Sequence, residues 1–508
     1  MSESPRSVVA EALAADRLGA PTVVAFAMTA AAPLMTIGGV ITVGWATTGA
    51  ATGITAYPLA FLLIAAVLAL FTVGYMAMSR RISNAGAFYS YVAQGAGRPA
   101  GVAASLVALG AYNLLQVGLY GIFGFTMQEF LTAKAGISLD WWIYALAAWG
   151  ITACLGVLRV DINGILLLGI VALEVIAVVI FDFLFVTNPA GGAISFSTFD
   201  PGNLFLPGVG AVLVTVVTSF VGFEAAAVYS EESKNRQRTV PIASYLAIGL
   251  MVVFYAVTSW AIAVTVGDEN LVAVAQEKQT EMMFGLAADH FGSTVISDLG
   301  IMLLLTSVFA AMLSYHNTVS RYTFSLAREG VLPRPLARTG LRSGSPRNAS
   351  VLQSFIGVAV ILTFAFMGWD PLVHLFFWLG MTGGFGILLL ITATAVSVVC
   401  YFAARPDGVS VWVRLIAPAL ASMTLLVIVY FAIDAYGGLL GVEPGDPASW
   451  LFPLAYAVII VIGVIWALII KASNPTVYAR IGRGADERTA PVEKPDEIVP
   501  VFVGGGQK

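Results

Sequence analysis

The sequence predicts an all-α integral membrane protein of about 12 transmembrane helices, and three observations carry that expectation. Of the 508 residues, 59% are hydrophobic and 11% charged, whereas water-soluble domains run at about 45–50% apolar and about 25% charged. The apolar residues form continuous runs rich in Ala, Leu, Ile and Val, many of about the 20 residues a helix needs to cross a bilayer. The lysines and arginines fall on alternate connections between those runs, the asymmetry that separates the two sides of a membrane. So much apolar surface needs lipid as its solvent, which excludes a cytosolic enzyme. A net charge of -4 without a basic face excludes a nucleic-acid binder. An outer-membrane barrel is excluded as well, because its strands are segments of about ten residues with alternating polarity.

In chain order the spans are expected at about 22–46, 54–78, 98–132, 141–158, 163–186, 207–230, 240–266, 294–326, 350–369, 372–402, 412–433 and 451–471. Those longer than about 25 residues imply tilt, or helix that continues past the lipid. The polar start has no charged leader feeding a short apolar core and a cleavage site, so no signal peptide is expected. With the N-terminus in the cytoplasm, the outer loops hold only Lys134 and Lys278, and the inner segments hold the rest of the 25 basic residues. Both ends are therefore expected inside, in a multi-pass protein of the cytoplasmic membrane. Trp141 and Trp142 open a helix as interface anchors. Asn474-Pro475 is a turn after the last span, and the polar segment 472–508 reads as a flexible cytoplasmic tail. Cys154 and Cys400 lie inside apolar runs, and three histidines without a CxxC or HExxH pattern give a metal almost no ligands.

Polar groups at mid-membrane depth mark the functional candidates. One way to supply them is a broken helix, whose unwound turn frees N–H and C=O groups for a ligand. The first span contains Ala31-Ala32-Pro33-Leu34-Met35-Thr36-Ile37-Gly38-Gly39-Val40. The proline removes a donor and clashes with the preceding turn, and the glycines admit close approach to the backbone. The sixth span contains Thr218-Ser219-Phe220-Val221-Gly222-Phe223-Glu224. If the helix unwinds near Gly222, it offers free carbonyls from the part before the break and N–H groups from the part after it. Glu224 either hydrogen-bonds two helices together or serves transport or gating; Glu174, in the fifth span, stands between the same two roles. Tyr112, Asn113, Gln116 and Tyr120 recur at helical spacing in the third span, and Ser307, Ser314, Tyr315 and Asn317 crowd the eighth. Trp378 and the Gly380-Met381-Thr382-Gly383-Gly384 run of the tenth span pack either against a ligand or against a neighbouring helix. Breaks in spans one and six are also the placement that an inverted five-helix repeat predicts.

Four stretches resemble the amino acid–polyamine–organocation (APC) superfamily, in its bacterial amino acid permease branch. They are Ser79-Arg80-Arg81-Ile82-Ser83-Asn84-Ala85-Gly86-Ala87-Phe88-Tyr89, Phe220–Glu224, Asn317–Arg321 with Ala327–Pro333, and Tyr478-Ala479-Arg480-Ile481-Gly482. The resemblance implies a LeuT-like 5+5 inverted-repeat core at 22–402, with repeats at about 22–186 and 207–402. It further implies two additional helices at 403–471, a cytoplasmic segment at 1–21, and alternating access. It implies that a substrate carboxylate meets the backbone of Thr36, Ile37, Gly38, Gly39 and Val40, and that its amino group meets carbonyls around Ser219 to Gly222. Phe220, Phe223 and Trp378 would close over the ligand, and Glu224 matches a glutamate that links gating to protonation; independently of the resemblance, the third-span face that carries Asn113 is expected to line either a cavity or a polar helix contact. Relatives often have a Gly-Ser-Gly-type stretch where this chain has Ile37-Gly38-Gly39-Val40. The fifth span has no lysine of the kind that replaces a sodium ion in some relatives.

The function so implied is a secondary active transporter for amino acids, coupled to protons, with sodium left open and no other cofactor. The alternatives are an amine or polyamine carrier and an amino acid/amine antiporter; carboxylates such as Glu174 and Glu224 keep the amine class in play. The partners expected are a small-molecule substrate and the bilayer, with no nucleic acid, no obligate protein partner and no enzymatic activity.

Overall fold

Backbone inside lipid has to satisfy its own N–H and C=O groups, so apolar runs of this length become helices. The computed structural model describes residues 18–82, 86–158, 160–229, 232–340, 344–406 and 408–483. Every apolar run named above contains helix. The first run holds α1 (Ala20–Ala31) and α2 (33–52), and then come α3 (Tyr57–Ser79), α4 (Phe88–Gly95), α5 (Arg98–Ala135), α6 (Trp141–Gly156) and α7 (Val160–Thr187). They are followed by α8 (Val209–Phe220), α9 (Arg236–Val266), α10 (Leu271–Lys278), α11 (Met282–Phe291) and α12 (Thr294–Glu329). The last four are α13 (Arg347–Met367), α14 (Pro371–Ala404), α15 (Trp412–Asp434) and α16 (Ala448–Ser473). Among the described residues, nine helical spans are long and apolar enough to cross a membrane, and α6 and α8 are shorter apolar helices. The protein is an all-α, multi-spanning membrane protein.

The long helix α5 runs through the bundle and packs on α12, α14 and α16. Burial grades outward from the first span: 94% of its apolar stretch is buried, against 22% of that of α16. A helix apolar all round and enclosed by protein is a core element, whereas α16 turns Trp450, Val461 and Ile465 outward, as a lipid-facing helix does.

Three features go beyond the sequence expectation. The sixth run is not one helix: α8 stops at Phe220 and helix resumes at Ala225–Val228. The loop expected between 266 and 294 contains α10 and α11. A short buried helix, α4, follows the second span and packs on α5 and α14. Two of the stretches that carried the resemblance meet where the Gly482 N–H donates to Glu329 (2.8 Å), and Arg98 of α5 lies over the Tyr478 ring beside them. Residues 1–17, Ser83-Asn84-Ala85, Arg159, Arg342 and most of the expected tail, 484–508, lie outside the described residues.

Candidate functional site

The first break falls at Ala32, inside the stretch singled out by Pro33 and the paired glycines. Ala32 is left-handed (φ 42°), a conformation that costs a residue with a Cβ roughly 1–2 kcal/mol. Its N–H still closes the last turn of α1 on the Met28 carbonyl (2.8 Å). Pro33 then starts α2 where its missing N–H is no loss. The second break is at Gly222, whose φ of +127° suits only glycine. A Cβ there would lie 2.6 Å from the Ala27 carbonyl oxygen and 2.8 Å from the Ala30 Cβ. The two breaks therefore touch, and the absent side chain is what lets the sixth run press on the last turn of α1.

Side chains satisfy the groups that these breaks free. At the start of α2 the Leu34 N–H donates to Glu174 Oε2 (3.4 Å) and the Met35 N–H to Ser307 Oγ (3.4 Å). The Ala31 carbonyl accepts from Thr36 Oγ1 (2.7 Å) and from the Tyr255 hydroxyl (3.1 Å). At the second break the Gly222 N–H donates to Glu224 Oε2 (2.9 Å), and Tyr112 donates to Glu224 Oε1 (2.6 Å). The Tyr315 hydroxyl donates to the Val221 carbonyl at 3.5 Å. Glu174 and Glu224 are both buried, each 1% exposed, so a carboxylate sits at each break and is held there by backbone N–H groups.

Between the breaks lies a cavity of about 20 Å³, lined in part by Ala31, Thr36, Val40, Thr218, Tyr315 and Phe376. That volume admits one water-sized group. Of the residues expected at the substrate, Thr36 and Val40 line this cavity, as do Thr218, Tyr315, Gly380 and Met381 from the polar and glycine-rich stretches noted in the sequence. Ile37 is buried in the same segment, Gly38 faces Phe284 and Leu304, and Gly39 faces Ile122 and Phe376. Ser219 returns its hydroxyl to the Thr215 carbonyl (3.0 Å). Phe220 packs edge-on to Phe61 and Tyr255, and Phe223 packs on Phe71. Asn113 is half-buried and bonds the Leu109 carbonyl of its own helix (2.7 Å). Trp378 donates to the Leu440 carbonyl (3.1 Å) and packs on His374 and Phe452. Neither Asn113 nor Trp378 lines the cavity.

Phe376 takes the place expected for Trp378, and the reason is local. Residues Pro371–Trp378 form a wide turn with i→i−5 bonding, so the face they present is not the one a 3.6-residue period gives. Tyr255 and Asp182 were also missed. Each is a single polar group in an apolar run; Asp182 accepts from Thr258 (2.9 Å), linking α7 to α9.

A second buried carboxylate pairing lies beyond the sixth run. Arg321 of α12 grips Glu232 through Nε (2.8 Å) and Nη2 (3.0 Å) and lies over the Tyr229 ring at 4.6 Å. Both charged side chains are 1% exposed. The Leu18 N–H donates to the Glu232 carbonyl (3.0 Å), so the chain just ahead of α1 is tied to the same cluster.

Comparison with known proteins decides the family, because residues 22–465 match the amino acid permease family over most of the chain. This chain belongs to the amino acid permease family. It is 28% identical to the gamma-aminobutyric acid permease of Bacillus subtilis (strain 168), over 39% of this chain and 42% of that protein. It is 24% identical to the branched-chain amino acid permease BcaP of Lactococcus lactis subsp. cremoris, over 60% of this chain and 68% of that permease. To the lysine-specific permease LysP of the same organism it is 24% identical over 44% of this chain and 46% of that one. The match spans about half the length of the gamma-aminobutyric acid and lysine-specific permeases.

Proposed function

We propose that this permease-family protein is a secondary active transporter that carries amino acids across the cytoplasmic membrane by alternating access, coupled to protons. The observation behind this reading is the contact between two mid-helix breaks, at Ala32 and Gly222, with buried Glu224 holding one of them. A zwitterion needs fixed dipoles of both signs more than it needs full charges. The start of α2 would offer its carboxylate the N–H groups that Glu174 and Ser307 hold in this structure, and the ends of α1 and α8 would offer carbonyls to its ammonium. Thr36, Val40, Tyr315 and Phe376 shape the space between. The other residues named from the sequence (Ile37, Gly38, Gly39, Ser219, Phe220, Gly222 and Phe223) form the backbone and packing around it.

In this reading Glu224 is the proton carrier. A carboxyl placed at a helix break can take up a proton on one side of the membrane and release it when its surroundings change. The cavity about Ala31 and Thr36 has to widen before an amino acid fits, and that change alters what Glu224 faces. Residues 22–402 act as a LeuT-like core of two inverted five-helix repeats, 22–186 and 207–402, with 403–471 adding two helices to make 12 spans. Both termini are cytoplasmic by the distribution of basic residues. The relatives, which include gamma-aminobutyric acid, branched-chain amino acid and lysine-specific permeases, support the substrate class. A carrier or exchanger of amines is the second reading, favoured by the presence of carboxylates at both breaks.

The test is uptake into proteoliposomes under an imposed pH gradient, joined to thermal stabilisation by a panel of amino acids and their decarboxylated amines. Ligands that bind the folded state raise its apparent stability. Stabilisation and gradient-driven uptake of an amino acid, but not of its amine, support the first reading. Stabilisation by amines alone moves the function to the second.

A further inference from the structure

A second cavity, of about 220 Å³, lies where α5 meets the segment linking α10 to α11. It shares no lining residue with the cavity between the breaks. Along α5 it begins six residues beyond Leu119, which lines the central cavity, and so about 9 Å further along the axis. Its floor is Ile301 and Leu304 of α12, and Leu304 is also a neighbour of Gly38. The cavity therefore stands above the first span, at the end of the bundle that carries Lys134 and Lys278.

Its chemistry is one-sided. Glu129, Glu277 and Glu281 line it, and none of these has an ion-pair partner among the described residues. Lys278, the one basic residue in the lining, is held by Asp289 at 3.1 Å. Phe125 and Phe130 add aromatic faces, which attract cations. An independent observation comes from Thr126. Many threonines in these helices return their hydroxyl to the carbonyl four residues back, as Thr42 does to Gly38 and Thr218 to Val214, although Thr48, Thr152 and Thr394 do not. The Thr126 hydroxyl makes no such bond: it is buried (the residue is 7% exposed), has no partner, and lines the cavity. An unpaired buried hydroxyl is costly unless something comes to it.

We infer that this cavity is a second solute site, outside the central one, which binds an alkylammonium group: its charge to Glu129, Glu277 and Glu281, a hydrogen bond to Thr126, and its chain on Ile301, Leu304 and the phenylalanines. Its role as a station on the way to the central cavity rests on the transport reading; its ability to bind does not. The site selects for a positive amino group before any carboxylate is read.

The experiment is isothermal titration of the full-length, detergent-solubilised protein with n-butylammonium chloride, and with sodium butyrate as the control. Saturable binding of n-butylammonium and none of butyrate is expected. The variant Glu129→Gln/Glu277→Gln/Glu281→Gln should weaken it by about tenfold or more, and Thr126→Val by about threefold without any change in charge. These substitutions are at a solvent-accessible cavity, and elution volume and melting temperature check their fold. No saturable binding to the native chain, or equal affinity in the triple variant, overturns the site. So does loss confined to the triple variant with Thr126→Val unchanged, which marks diffuse charge attraction. Amino acid uptake by the native chain is scored separately. Absent uptake with n-butylammonium binding intact refutes the transport reading and leaves the site standing.

Discussion

The two helix breaks solve one problem in opposite ways. At Gly222 the acceptor for the freed N–H is Glu224, two residues along, at 2.9 Å, and Tyr112 fixes its other oxygen at 2.6 Å. At Ala32 the acceptors come from far away in the chain, Glu174 on α7 and Ser307 on α12, and both contacts are long at 3.4 Å. The first break is thus joined loosely to two other helices, whereas the second carries its own cap. A locally capped break moves as a unit with its carboxylate. A break capped from elsewhere has to let go when either side moves. The backbone shows the same contrast, since Gly222 suits its conformation and Ala32 is strained in its own.

The sharpest way to break this comparison is Glu224→Gln. It removes the titratable carboxyl that holds Gly222 and Tyr112, and gradient-driven accumulation should fall about tenfold or more while expression persists. An unchanged pH profile of uptake would remove Glu224 from the coupling. Next in size is Gly222→Ala, which combines a disfavoured φ with a Cβ 2.6 Å from the Ala27 carbonyl. A loss of about 1–3 kcal/mol is expected, read as a lower melting temperature of the purified protein. Ala32→Gly should go the other way, relieving roughly 1 kcal/mol of left-handed strain against the extra flexibility of glycine, so that melting is unchanged or slightly higher. A drop as large as that of Gly222→Ala would mean that Ala32 is not strained. The smallest effect belongs to Glu174→Gln. With a 3.4 Å contact to the start of α2, its stability cost should be about 0.3–1 kcal/mol. If its melting temperature falls as far as that of Gly222→Ala, the distinction between a loose and a tight cap is wrong.

Much of this was legible from the residues, because lipid leaves the backbone few choices. The limits of α5, α9 and α12 come within a few residues of the apolar runs that announced them, and Pro33 and Gly222 marked the two breaks. Less legible was what the breaks would meet. Contact between the Gly222 backbone and Ala27 depends on how two distant runs cross, and no local pattern encodes it. The Phe376 position was hidden for a different reason. Trp378 was expected over the ligand from the resemblance alone, and the segment Pro371–Trp378 is wider than an α-helix, so the lining aromatic is Phe376, two residues before it. Glu232 gave no signal because it lies outside every apolar run; only the fold buries it against Arg321.

Residues Thr36–Ile41 also form a wide turn, directly after the first break, around the paired glycines. Such a turn holds one residue more than an ordinary helical turn needs. It is slack wound into the helix. Taking up that slack would rotate the residues on one side of the turn by about 100° relative to the other, with no loss of helix. Val40 would swing off the cavity wall, and Gly38 or Gly39 would present bare backbone to a neighbour in its place. Because the glycines have no side chain to drag through the packing, the first span contains, next to its break, a swivel as well as a hinge.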